Sequence, residues 1–340
     1  MNTTKTTKVI KSDLTKKATA FTVAAVLFVS IFGGNLMALQ AMADPGNGTN
    51  TNAGANANAG ISEKQTARQT LRQTLQTDTT TYKQAVQTAY LTYKQTVQAA
   101  QLAHSQAVHD ANIAYDQAVQ QARSAYNTAV RGAHGNTTVI GSAMATRDQA
   151  IATAQNAKIT ATVSADVAHD KAVDEALLAY RNSVYGALAT RDGADGTAWS
   201  TFYTAIGNSV LATRSQAIGQ ARVTADNSVL QSRQTRITAV ETADVARDQA
   251  IGSARTAYVT AESTVHVTLD TAYTKDGKAW NTSLQSYWNS VAALSQTQDN
   301  AIATANSNHV TAVGNADSTR DQSIDQAYAT MYGSIAAAYS

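Results

Sequence analysis

One recurrence constrains this chain more than any other feature. Leu71, Tyr82, Tyr93, His104, Tyr115 and Tyr126 stand at every eleventh position. Four residues after them come Leu75, Val86, Val97, Val108, Val119 and Val130. Seven residues after them come Ala89, Ala100, Ala111, Ala122 and Ala133, with Asp78 as the exception. Eleven residues make three helical turns at about 3.67 residues per turn, close to the 3.6 of an α-helix, so the unit keeps one face of a helix together. A strand would need alternation by two. With the first position called a, the small and branched residues fall at a, d, e and h.

The unit returns three times with a different residue at a. Arg147, Lys158, His169 and Tyr180 occupy it first, then Arg214, Ala225, Arg236, Arg247 and Tyr258, and last Tyr287, Gln298, His309, Arg320 and Met331. Val or Ile at e is the most regular feature, which predicts that e lies deepest in the seam. An Arg-Asp-Gln-Ala/Ser-Ile box recurs at 147–151, 247–251 and 320–324. Its spacing reads as structural: the arginine stem lies along the seam, and its head meets Asp or Gln of a neighbouring helix.

Composition agrees with long, closely packed helices. Apolar residues are 44% of the chain but Phe occurs only four times, aromatics are 6%, and alanine fills much of the rest. The single proline is Pro45, so nothing after it breaks a helix at the roughly 3 kcal/mol a proline costs. Cysteine is absent, which excludes disulfides, thiolate metal sites and cysteine nucleophiles.

Three glycine-rich interruptions divide the run. Gly132–Asn136 with Gly141 predicts a turn. The segment 191–196, Arg-Asp-Gly-Ala-Asp-Gly, predicts a second turn with a one-residue slip of register, and 275–278 a kink rather than a reversal. Asp192-Gly and Asp276-Gly are each followed by Ala-Trp, which predicts a helix start anchored by Trp199 and Trp280. The expected organisation is therefore helix blocks over 62–131, 142–190, 197–274 and 278–340. The fold class is all-α, with long helices forming an elongated antiparallel bundle or a right-handed coiled coil. The register slip favours the folded-back bundle over one continuous rod.

Ahead of the repeats, residues 1–17 carry five lysines, residues 18–34 are apolar and uncharged, and Ala41-Met42-Ala43 is a small-x-small site. This is the order of a secretory signal peptide, so 1–43 is expected to be cleaved and the protein exported to the periplasm, cell surface or medium. The competing reading is a membrane anchor formed by 18–39. Residues 44–61 are Asn/Gly/Ala/Thr low complexity, expected to be a flexible linker. Beyond residue 43 the chain holds 21 basic and 23 acidic residues, so no strong field draws it to nucleic acid or to anionic lipid.

No catalytic, cofactor-binding or metal-ligating constellation emerges. The histidines 104, 109, 134, 169, 266 and 309 include no pair spaced i, i+4 with a carboxylate cluster. Asp192-Gly-Ala-Asp195-Gly lacks the alternating ligands and distal Glu of a calcium loop. His104, His169 and His309 at a positions read as polar residues of the seam edge, or as stacked pairs that weaken assembly below about pH 6.

The pattern over 62–340 resembles the alanine-rich 11-residue-repeat coiled coils of exported bacterial proteins, a resemblance of packing mode that implies helical self-association and carries over no functional residue. The expected role is thus an exported structural or scaffolding protein, not an enzyme, that partners with itself. The alternative is an amphipathic surface binder. Lipid suits it poorly, because only 15% of residues are charged. Ice would use Thr213, Thr224 and Thr235, a stripe that lapses at Ala246 and Ala257 and resembles the alanine-rich antifreeze helices.

Overall fold

The computed structural model describes residues 56–272 and 277–340, with side chains over 62–272 and 281–340. The expected leader and anchor, and most of the linker, lie outside these residues. The packing below concerns Gly60–Ser340. Four α-helices are found among the described residues: α1 Asn56–Gly132, α2 Thr137–Ala205, α3 Ser209–Ala272 and α4 Gly277–Tyr339. At 1.5 Å per residue each is roughly 95–115 Å long. Helix α1 starts inside the expected linker, because the alanines at 57 and 59 extend a helix at little cost. Among the described residues no helix is long and apolar enough to cross a membrane.

Successive helices run antiparallel, and their a positions meet level by level. Between α1 and α2, Arg191 lies over the Tyr82 ring at 5.0 Å, and the Tyr93 and Tyr180 rings are 5.7 Å apart. His104 and His169 follow at 5.4 Å, then Lys158 over Tyr115 at 5.1 Å and Arg147 over Tyr126 at 4.8 Å. Each step up α1 by eleven residues is a step down α2 by eleven. Helix α3 is antiparallel to α2 through Gln234–Asn182 (2.6 Å) and Asn156–Thr260 (3.0 Å). Helix α4 is antiparallel to α3 through Arg236–Asp317 (2.5 Å) and His266–Tyr287 (2.7 Å).

The outer helices bury one stripe each, and the inner pair, α2 and α3, is covered on wider faces. Apart from Leu71 and Tyr287 at a, the buried positions of α1 and α4 are h alanines, Ala111 and Ala122 in one and Ala305, Ala316 and Ala327 in the other. This corrects the expectation for e, whose valines and isoleucines in these helices are only half-buried. A methyl group lets two backbones approach most closely, so the smallest residue takes the line of closest contact and the branched ones flank it. Tyr185, Leu188, Val229 and Ala327 form one cluster of larger side chains. A second, Leu71, Phe202, Tyr203 and Ala212, closes one end of the unit.

The first turn falls at 133–136, within the expected interruption, but α2 begins at Thr137, so Gly141 is helical and the expected start at 142 is corrected. His134 and Gly135 adopt positive φ (46° and 85°), and the Asn136 side chain accepts from the Thr138 and Val139 amides. Helix α2 then runs unbroken through 191–196, which corrects the second expected turn and the boundaries at 190 and 197. Gly196 is helical because it meets Gly219 of α3: a Cβ there would lie 2.8 Å from the Gly219 Cα. The register does not slip at this point, since Phe202 takes the a position beside Leu71. The reversal comes at 206–208, with Gly207 at φ 80° and the Asn208 carboxamide oxygen accepting from the Leu211 amide at 3.0 Å. Trp199 accordingly stacks in the last turns of α2, against Phe202 and Tyr203, and does not begin a helix. The kink expected at 275–278 falls in part on residues 273–276, which lie outside those described; the helices on either side of them, α3 and α4, run antiparallel to each other rather than in line.

Candidate functional site

The a-level that contains His104 and His169 continues into α3 and α4 as Arg247 and His309. Here side chains from all four helices form one transverse network. His104 Nε2 lies 2.7 Å from Asp166 Oδ1, and His169 Nδ1 lies 3.0 Å from Asp170 Oδ1. Arg247 reaches Asp170 at 3.6 Å across the α2–α3 interface. On its own helix Arg247 donates to Asp244 at 2.9 Å and to Asp248 at 2.8 Å. His309 Nε2 then lies 2.7 Å from the Asp244 carboxylate, which is only 5% exposed.

This level gathers four aspartates, one guanidinium and three imidazoles, and each imidazole faces a carboxylate oxygen, so the stacked histidines expected at a positions are each paired with an aspartate. Burial pushes Asp248 above the usual carboxylate range, against the hydrogen bond and charge of Arg247, which pull it down, and with Asp170 and Asp166 adding to the rise. Burial opposes the charge of Arg247, but its aspartate partners outweigh that and hold it more firmly protonated.

A second polar level lies toward the 206–208 turn. Asp78 of α1, Asp192 and Asp195 of α2, and Asp226 of α3 gather around Arg191 and Arg222. Arg191 donates to Asp192 at 2.5 Å and lies 3.9 Å from Asp195. Burial pushes Asp226 up to about 7, Asp192 pushes in the same direction, and Arg191 and Arg222 oppose it. Burial pushes Asp195 up to about 6, opposed by Arg191 and reinforced by Asp192 and Asp78. One carboxylate oxygen on each of Asp78, Asp195 and Asp226 is buried without a hydrogen-bond partner. Toward the opposite end of the helices, Asp270 of α3 is pushed up to about 6 by burial and by Asp148 of α2.

The Arg-Asp-Gln boxes also differ from expectation in their partners. Arg147, Arg247 and Arg320 each donate first to the next residue, Asp148, Asp248 or Asp321, at 2.6–2.9 Å. A planar guanidinium lying along the seam brings Nε to the neighbouring carboxylate with no change of helix. Among the described residues, arginine reaches a carboxylate of another helix at Arg247–Asp170 and at Arg236–Asp317, and Arg236 holds Asp317 below the usual carboxylate range.

Sequence reasoning singled out the three histidines of the first level but not their convergence, nor the aspartates that engage them. Two signals were available. Asp stands one residue after a at 116, 148, 170, 192, 226, 248, 270, 299 and 321, and Asp78 breaks the alanine rule at h in the second polar level. Thr224 and Thr235 of the threonine stripe line the α3–α4 groove, and with Thr213 they donate their hydroxyls back to their own helix, so they form no flat face. Among the described residues no three His, Asp or Glu side chains are grouped so as to hold a metal ion. No protein-family model, curated protein or solved structure matches the chain.

Proposed function

We propose that this chain is an exported structural scaffold: a long helical strut that associates with further copies of itself and performs no catalysis. The observation that carries the reading is the ladder of levels. At every eleventh residue of α1, side chains that could do chemistry are engaged laterally with a neighbouring helix. Such a ladder resists bending and sliding along about 100 Å, which is what a strut requires. Export is supported by the Lys-rich, apolar, Ala-x-Ala order of residues 1–43. The amphipathic lipid-binding alternative has less support, because the repeating alanine stripe that would face lipid is covered by neighbouring helices at Ala111, Ala122, Ala305 and Ala316, and the threonine stripe of the ice reading stops after Thr235.

Fractionation of cells producing the full chain tests the location. Small-angle scattering with sedimentation tests the strut. Expected are an exported species and a maximum dimension near or above 100 Å, with mass rising with concentration. A cytoplasmic species of compact radius would overturn the proposal.

A further inference from the structure

Two surfaces of the unit stand open and match in period. On α1, Leu91, Leu102 and Ile113 project from the side opposite the buried stripe, 50%, 72% and 42% exposed, at eleven-residue spacing. They form a ridge spanning two repeats, about 33 Å. Gln87, Gln98, Gln95 and Gln106 flank it; no charge stands within four residues of Leu102, while Lys94 lies one turn from Leu91 and Asp110 and Asp116 one turn on either side of Ile113. Between α3 and α4 lies an open groove of about 1070 Å³, lined by 217–239 of one and 312–334 of the other. It too spans two repeats. Its floor is small, with Ala221, Ala225, Ala316 and Ala327, and its sides carry amides such as Gln231 and Gln326.

We propose that a second copy of this chain seats its Leu91–Leu102–Ile113 ridge in the α3–α4 groove. Large apolar side chains at eleven-residue spacing fit between small ones at the same spacing, as the helices already pack within one copy. Amide rims meet amide rims, and interface centres are poor in charge. The two arginines of the groove are already engaged, Arg236 and Arg320 both with Asp317, so docking strands no cation. Longer-range attraction favours the same pairing by a small margin. Helix α1 holds seven basic against four acidic residues, and the two helices of the groove, α3 and α4, hold eight basic against ten acidic.

Ridge and groove are different surfaces, so the contact is heterologous and leaves each copy with one ridge and one groove to offer to further copies, in a ring or an open array according to the rotation between them. A helix-wide strip about 33 Å long buries roughly 400 Å² per copy, about half of what a stable pairwise complex buries, so a single contact is weak. Its strength comes from repetition among crowded copies. The inference rests on the scaffold reading and supplies its partner and geometry.

The absence of cysteine makes the test direct. Leu102 is the middle of the ridge and Ser323 the middle of one groove wall, so they meet whichever way the incoming helix runs. Full-length Leu102→Cys and Ser323→Cys chains, differently tagged and mixed under mild oxidation, are expected to give a mixed disulfide dimer in several-fold higher yield than Leu102→Cys with a Gln285→Cys control outside the groove. Leu102→Asp is expected to keep its helical circular dichroism, since the residue is exposed, and to lose the concentration-dependent rise in sedimenting mass. Association that persists in Leu102→Asp, with no preference for Ser323→Cys, overturns this contact and leaves self-association standing. A wild-type chain that stays monomeric at every concentration overturns both.

Discussion

Gly196 of α2 and Gly219 of α3 meet backbone to backbone: a Cβ on Gly196 would lie 2.8 Å from the Gly219 Cα, and one on Gly219 would lie 2.9 Å from the Gly196 Cα. No side chain can move aside to relieve such a contact, so the two helices would have to separate. Gly196→Ala and Gly219→Ala are each expected to destabilise the unit by about 1–3 kcal/mol, although alanine is the better helix former. Gly186→Ala, Gly314→Ala and Gly333→Ala, with nothing near the new methyl, are expected to stabilise by about 0.5–1 kcal/mol. Urea denaturation followed by circular dichroism separates the two groups, and equal effects in both would remove the close-approach argument.

The His309–Asp244 contact gives a second expectation. His309→Ala leaves a carboxylate that is 5% exposed with Arg247 as its remaining partner, and is expected to cost about 1–3 kcal/mol. His109→Ala, on the exposed face of α1, is expected to fall within about 0.5 kcal/mol of wild type. Paired melting curves at neutral pH decide this.

The dependence on pH follows from Asp226, Asp195 and Asp270. Burial raises all three, to about 7, 6 and 6, above the 3.8 of a free side chain. Between those values the folded chain binds protons that the unfolded chain has released, so the unfolded state gains stability relative to the folded one as pH rises. The melting temperature is therefore expected to fall between about pH 4 and pH 7 and then level off. Asp226→Asn is expected to raise it at pH 8, by about 1–3 kcal/mol of stability, and to flatten the profile. A melting temperature that climbs steadily across this window would contradict the assignment.

Asn136 tests the first turn. Its side chain accepts from two amides that the start of α2 cannot otherwise satisfy, and Asn136→Ala is expected to cost about 1 kcal/mol. Hydrogen exchange should show the loss confined to the first turn of α2 before the whole unit responds.

The all-helical class, the stripe of α1 and the turn at 132–136 were legible, because periodicity and local turn chemistry are written in neighbouring residues. The reversal at 206–208 was not. Gly207-Asn208 is a brief signal beside Asp192-Gly-Ala-Asp-Gly196, where two glycines resemble a helix break. Glycine serves two ends, a left-handed turn at Gly207 and a close approach at Gly196, and a single chain read alone does not tell them apart. Misplacing that turn by about ten residues also hid the polar levels. Asp170 meets Arg247, and Asp78 faces Asp195, only once the antiparallel register is known.

That register has a consequence for size. A slice of eleven residues removed at the same level from all four helices takes out one rung and rejoins the rest with every remaining pair intact. The same excision from α2 alone would set Tyr93, His104 and Tyr115 against the wrong partners. Change in the length of this molecule is thus quantised: about 16.5 Å at a time, in four simultaneous cuts, and in no smaller increment.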